Sequence, residues 1–164
     1  MGRELDITAQ YLDLMGFLYG EQVLYHMDLD PALSDMPTPK IWMQPILENF
    51  FKHNFRDDEK IKAVVIQTRR RESGADIEFF DNLGSIAAEK LDELNQELTP
   101  SQIRKYAQTQ DKGIGLKNVY LRLSLYYGER VSMEIRNNQP TGVRIRVQIR
   151  DEEGEKDVQA LDRG

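Results

Sequence analysis

Two pairs of strand-like runs in this sequence are joined by connections too short for anything but an antiparallel return. Lys62–Arg70 and Ala75–Asp81 are separated by Arg71-Glu72-Ser73-Gly74, and Val131–Arg136 reaches Gly142–Ile149 through Asn137-Asn138-Gln139-Pro140. A parallel pairing needs a crossover of about a dozen residues, so both pairs read as hairpins. The other elements fall around them. Residues 4–19 read as a helix on which Ile7, Tyr11, Leu14 and Leu18 supply an i, i+4, i+7, i+11 stripe, with Gly20 placed to stop it. Val23, Tyr25, Met27 and Leu29 then alternate with polar neighbours, the period of a half-buried strand. Pro31, Pro37 and Pro39 mark residues 30–40 as a connector.

After a short turn carrying Ile41 and Trp42, a helix is expected from Pro45 to about Phe55, with proline at the first position, where it costs no hydrogen bond. Residues 86–98 read as helical. Thr99-Pro100-Ser101-Gln102 starts a second short helix, with a capping box and proline at its head. Asp111-Lys112-Gly113-Ile114-Gly115 is a glycine-bearing turn into a helix from about Leu116 to Tyr126, with Leu116, Val119, Leu123 and Tyr126/Tyr127 as its apolar face. Residues 151–164 are polar, acidic and aperiodic, and read as a frayed tail. Helices and strands do not alternate regularly, which excludes a parallel doubly wound sheet. The fold class is α+β: a mixed, mostly antiparallel sheet with helices on one face.

Composition narrows the function. The 164 residues fit one domain, and 40% apolar residues suffice for one core. No apolar run approaches the length of a membrane span, and the mean hydropathy is −0.60. Met1-Gly2-Arg3-Glu4 leads straight into an amphipathic pattern, without the look of a secretory signal. With no cysteine, disulfides, zinc ribbons and thiol catalysis are excluded. The net charge of −6 argues against a nucleic-acid surface but not against a small anion held by local donors.

Three segments could carry chemistry. In Gln44-Pro45-Ile46-Leu47-Glu48-Asn49-Phe50-Phe51-Lys52-His53-Asn54, the residues Glu48, Asn49, Lys52 and His53 share one polar helix face. An amide or carboxylate oxygen suits Mg²⁺, while Lys and His neutralise phosphate oxygens. A solvated face with an incidental Glu48–Lys52 pair has the same pattern. In Gly113-Ile114-Gly115-Leu116-Lys117-Asn118, glycines precede a helix whose first N–H groups offer an anion site, although any tight turn into a helix looks alike. In Phe79-Phe80-Asp81-Asn82-Leu83-Gly84-Ser85, an acid ends an apolar strand. It could accept from the exocyclic amine of a base or simply close the strand in an Asx turn.

Together and in this order, the three segments resemble the ATP-binding domain of sensor histidine kinases, in the superfamily shared with gyrase, the ninety-kilodalton heat-shock chaperone and the MutL repair protein. Gln44 to Asn54 is similar to the N box Q-P-L-V-E-N-A-x-K-H-G of one subfamily of two-component sensors, Asp81 to Ser85 to the D-N-G-x-G box, and Gly113 to Asn118 to G-x-G-L-x-N. Tyr11-Leu12, Tyr19-Gly20 and Arg122-Leu123 resemble the flanking segments. The resemblance covers residues 4–150 and implies a two-layer sandwich (the Bergerat fold) with a lid at about 86–112. It implies ATP and Mg²⁺ as cofactors: Asn49 as the Mg²⁺ ligand, Glu48 as the acid assisting phosphoryl transfer, and Lys52 and His53 on the phosphates. Asp81 and Gly84 would lie at the adenine, and Gly113, Ile114, Gly115, Leu116, Lys117 and Asn118 would hold the phosphates.

The implied activity is transfer of the γ-phosphoryl group to a histidine on a separate dimerisation domain, with a response-regulator receiver as the next partner and no nucleic acid. Neither His26 nor His53 lies in an acceptor context. The chain therefore looks like the cytoplasmic C-terminal piece of a longer, membrane-anchored, dimeric sensor. Water-hydrolysing relatives carry a glutamate four residues before the Mg²⁺ asparagine. Pro45 stands there and cannot act as a base, which disfavours a water-hydrolysing ATPase. The sequence departs from the pattern at Leu83 and Ser85, where glycines are usual, at Phe50 and Asn54 in the N box, and at Val143, where a threonine is common. These departures define the alternative, a degenerate nucleotide-binding or non-binding module that relays conformation within a sensor.

Overall fold

Alternation along the strands decides which sheet face is buried. The computed structural model of the chain describes residues 1–54, 61–82, 84–108 and 115–152, for 53 and 54 the backbone alone. On β2 (Lys62–Arg71), Val64, Ile66 and Thr68 stand opposite Asp81, Phe79 and Ile77 of β3 (Gly74–Asp81), and all six are buried. Ile145, Val147 and Ile149 of β5 (Val143–Arg150) continue that face, as do Val131, Met133 and Ile135 of β4 (Val131–Asn137). Both hairpins are antiparallel, as their short connections require. β1 (Val23–Asp28) runs parallel to β2, which it reaches through a long connection, and the sheet order is β1-β2-β3-β5-β4.

Helices α1 (Gly2–Tyr19), α2 (Gln44–Asn54) and α5 (Leu116–Tyr127) bury apolar residues in the same core. Trp42, just before α2, packs edge-on against Phe79 at 6.0 Å and 83° and is fully buried. Helices α3 (Ala88–Glu97) and α4 (Pro100–Ala107) pack against β4 and α5 respectively. The fold is thus α+β with a five-stranded mixed sheet, as expected.

The other sheet face is polar and self-neutralised. Asp76, 4% exposed, accepts from Arg146 Nη2 at 2.6 Å, Arg71 Nε at 2.9 Å and Gln148 Nε2 at 3.0 Å. Burial alone would raise its pKa, but these three donors outweigh burial and hold it below the ordinary 3.8. A carboxylate with a lowered folded pKa stabilises the fold above its unfolded pKa, and that contribution is lost as pH falls through the folded value. Asp76→Asn should therefore cost about 2 kcal/mol near pH 7. In urea unfolding, the gap to the wild type should narrow as pH falls below the ordinary 3.8.

Three sequence expectations need correction, and one open pair, Tyr126/Tyr127, is resolved. The buried face of α1 is not Ile7, Tyr11, Leu14 and Leu18: Leu14 and Leu18 are about half exposed or more, and Glu4, Leu5, Thr8 and Leu12 are buried. Glu4 is buried there because its carboxylate accepts from three backbone donors, and Leu5, Thr8 and Leu12 carry the packed side further along. The capping box at Thr99 does not form. Thr99 Oγ1 donates to Gln96 O at 3.1 Å instead of capping α4. On α5 it is Tyr127 that is buried, along with Tyr120, while Tyr126 is exposed. Finally, Asp151 and Glu152, placed with the tail, are tied to the body by ion pairs to Arg70 and Arg130. Residues 153–164 lie outside the described residues.

Candidate functional site

The N-box segment is an amphipathic helix whose apolar side is fully used. Ile46, Leu47, Phe50 and Phe51 of α2 are buried. Phe50, bulkier than the residue usual after the asparagine, is therefore spent on the core and does not project onto the polar face. On that face Gln44 Nε2 donates to Glu48 Oε1 at 2.8 Å, which fixes the carboxylate, and Lys52 is exposed. Asn49 is half-buried, and its Nδ2 is fully buried without a hydrogen-bond partner among the described residues. Buried amide donors are nearly always paired, and this one stands as an exception on α2. Tyr11 packs beside α2, its ring 6.2 Å from that of Phe51. Burial first, then the charges of Glu48 and Tyr19, push its phenol up to about 12, so it stays protonated at neutral pH. The His53 side chain, expected on this face, lies outside the described residues.

Asp81 sits at the buried end of β3, 7% exposed, and its Oδ1 accepts from Val143 N at 3.1 Å. The next residue, Asn82, ties down the start of β2: its Oδ1 accepts from Ala63 N at 2.8 Å and its Nδ2 donates to Ile61 O at 2.9 Å. Gly84 has φ +122 and open space around it, and Ser85 is exposed. Leu83 lies outside the described residues.

The head of α5 is the third part. Gly115 is its N-cap, with its carbonyl accepting from Asn118 N at 3.0 Å and Val119 N at 3.2 Å. The N–H groups of Leu116 and Lys117 come before the first helical bond, as orphan donors at a helix head do. Among the described residues, a Cβ at Gly115 would meet nothing within 4 Å. Gly113 and Ile114 lie outside the described residues. Lys117 is not free: its Nζ is 2.7 Å from Glu97 Oε1 and 5.8 Å from the Tyr106 ring centroid. Asn118 Oδ1 accepts from Tyr106 OH at 3.2 Å. The Lys117–Glu97 pair is about two-fifths exposed, so solvent screens it and it is worth at most about 1 kcal/mol. α2 packs on α5.

Residues 86–108 of the expected lid are docked to the body. Asn95 Oδ1 accepts from Ile135 N and its Nδ2 donates to Ile135 O, both at 2.9 Å, so α3 closes the open edge of β4 as another strand would. Asn137 exchanges the same pair of bonds with Ile86. Sequence reading missed these asparagines because side chain-to-backbone bonds leave no periodicity. It also missed Glu4, whose signal was an acid on the packed stripe of α1.

Three comparisons bear on this arrangement. The catalytic domain of the histidine kinase ThkA superimposes with a TM-score of 0.58 at 11% identity, covering 90% of this chain and 92% of that one. This is the fold of a histidine-kinase catalytic domain. A mycobacterial sensor histidine kinase, MprB, gives 0.55 at 11% identity, with 89% and 93% covered. In sequence, the chain is 25% identical over 146 residues to the sensor histidine kinase YesM of Bacillus subtilis, covering 89% of this chain and 23% of that protein. The sensor protein LytS of Staphylococcus saprophyticus matches at 25% over 136 residues, 83% of this chain and 22% of that protein. The sensor protein kinase HptS of Staphylococcus aureus matches at 22%, covering 96% and 29%. The chain thus spans less than a third of these relatives' length. No protein-family profile matches it. Among the described residues, no helix is long and apolar enough to cross a membrane.

Proposed function

We propose that this chain binds Mg·ATP and donates the γ-phosphoryl group to a histidine on a separate dimerisation domain in two-component signalling. The observation that carries the reading is the polar side of α2, where Gln44 fixes the Glu48 carboxylate, Lys52 is exposed and the Asn49 side chain is not held through its Nδ2 by any described residue. The protein's share of a magnesium shell would be Asn49 Oδ1, an amide oxygen of the kind that suits the ion. Magnesium, when bound, neutralises phosphate charge. Lys52 and His53 would meet phosphate oxygens, and the head of α5 would receive them through the N–H groups of Leu116 and Lys117. Asp81, beside Val143, would accept from the adenine amine. Glu48, held by Gln44, would orient the acceptor imidazole and take its proton. The acceptor would then pass the phosphoryl group to a response-regulator receiver, with the catalytic piece on the cytoplasmic side of a membrane-anchored sensor.

Calorimetric titration with a non-hydrolysable ATP analogue and Mg²⁺ tests the reading. Binding is expected, and none at about 1 mM ligand would remove it. Asp81→Asn turns one acceptor oxygen into a donor. It should weaken adenine nucleotides about 10–100-fold, the worth of a charged hydrogen bond, and leave a non-adenine triphosphate unaffected. Equal loss for both would mean that Asp81 does not read the base. The Lys117–Glu97 pair favours the second reading, a non-binding relay module, because it commits a phosphate-site lysine to the body. The same titration separates the two.

A further inference from the structure

We propose that Glu4 and Arg122 grip the Lys40–Met43 peptide from opposite sides and thereby position α2, with Asn49 and Glu48, against the head of α5. The proposal rests on the nucleotide reading above for its functional consequence, and on the following geometry for its mechanics.

Glu4 is 3% exposed, an unusual place for a carboxylate. Its Oε2 accepts from Ile41 N at 2.7 Å, and its Oε1 from Trp42 N at 2.6 Å and Met43 N at 3.0 Å. One side chain of α1 therefore satisfies three consecutive backbone donors. These are the last residues before α2, and Met43 O accepts the first bonds of that helix, from Ile46 N and Leu47 N. From the other side Arg122 Nη1 of α5 donates to Lys40 O at 3.0 Å and also to Ile41 O. Tyr127 OH, also on α5, donates to Pro37 O at 2.7 Å.

Between the two jaws Ile41 has φ +56, a left-handed conformation that a β-branched residue avoids. Its side chain is 48% exposed, so core packing gives little return for the strain. Such a conformation persists where the surroundings over-determine it, and here its N–H is held by Glu4 and its carbonyl by Arg122. The peptide sets where α2 begins. Asn49 lies less than two helical turns further on, so a shift of this peptide is carried to it through a rigid element. A displacement of α1 reaches the start of α2 through the Glu4 carboxylate, apart from the Tyr11–Phe51 contact further along, and Arg122 refers the same peptide to the helix whose head would face the phosphates.

The test compares Glu4→Ala, Glu4→Gln and Arg122→Lys in the full chain. Amide hydrogen exchange on the nucleotide-free protein reads the grip. Glu4→Ala should expose the amides of residues 41–43. Glu4→Gln keeps one acceptor oxygen and should lose protection at Ile41 while sparing Trp42 and Met43. Amide chemical shifts of Glu48 to Lys52 read the placement of α2 and should move in both Glu4 variants and in Arg122→Lys. With nucleotide, Glu4→Ala should lower the affinity for the Mg²⁺ complex about 10-fold, the usual cost of losing an orienting partner of a metal ligand. The Mg²⁺-free affinity should be unchanged, and Glu4→Gln should restore most of the loss.

Protection of residues 41–43 that survives in Glu4→Gln and Glu4→Ala would overturn the proposal. So would a lowered Tm with unmoved Glu48–Lys52 shifts and unaltered Mg²⁺ dependence, the mark of a merely structural contact. If Glu4→Ala does not fold, Glu4→Gln and Arg122→Lys decide. A wild-type chain that binds no nucleotide removes the kinase reading alone. The exchange and shift data then still decide whether the grip positions α2.

Discussion

Asn49→Ala should make the protein more stable and nearly unable to use magnesium. A donor already buried without a partner gives the fold nothing when present, and deleting it removes a desolvation cost of about 1–3 kcal/mol. Alanine is also the better helix former by about 0.6 kcal/mol. A net gain of about 1 kcal/mol in urea unfolding is expected, the opposite of what a structural asparagine would give. The apparent affinity for the Mg²⁺ complex of an ATP analogue should meanwhile fall about 100-fold, as when a metal loses the protein group that fixes it. Affinity for the Mg²⁺-free analogue should hardly change. Calorimetry with and without Mg²⁺, beside unfolding curves of the same samples, measures both. A destabilised variant with intact Mg²⁺ dependence would assign the amide to packing and move the site elsewhere. The opposite signs separate a residue kept for function from one kept for folding, since functional groups are often held against stability.

How much of this was legible in the sequence depends on which force placed each residue. Elements placed by apolar period came out where expected: the hairpin of Lys62–Arg71 and Gly74–Asp81, the helix from Gln44, and the helix from Leu116. Local punctuation served equally well, with Gly20, Pro45 and Gly115 each at an element's end or head. What the pattern could not carry is polar burial. Glu4 was invisible as a core residue because its reward is three backbone N–H groups some 40 positions away, and the packed face of α1 runs through Leu5, Thr8 and Leu12 rather than Leu14 and Leu18. The site divides the same way. Glu48 and Lys52 share a face, as the i, i+4 spacing on a helix dictates, and Asn49 stands beside them, turned far enough toward the core to bury its Nδ2. The engagement of Lys117 by Glu97 depends on how α3 lies against the body, which no local signal encodes.

A large loss of stability is expected from Gly142→Ala, a substitution that looks mild on paper. Gly142 is buried with φ +103, and a Cβ there would stand 1.8 Å from Asp81 O, 2.8 Å from Asp81 C and 3.1 Å from Asn82 Cα. All three are backbone atoms, so no side chain can swing aside. The strand pair itself must part at the start of β5, where Val143 N meets Asp81 Oδ1 and where Gly142 O accepts from Asn138 N. Strain at such a φ costs about 1–3 kcal/mol, and the clash adds to it, for an expected total of about 4 kcal/mol in denaturant unfolding, at the extreme for one residue. Gly84→Ala is the control: its φ is +122, but a Cβ would meet nothing within 4 Å, so only the conformational cost of about 1 kcal/mol applies. If the two variants lose stability equally, the close approach of β5 to Asp81 is not what fixes Gly142. If Gly142→Ala unfolds far more easily and its folded fraction also loses adenine affinity, one glycine holds both the sheet and the acid that reads the base. The backbone crossing at Asp81 is then the point where fold and site are made by the same contact.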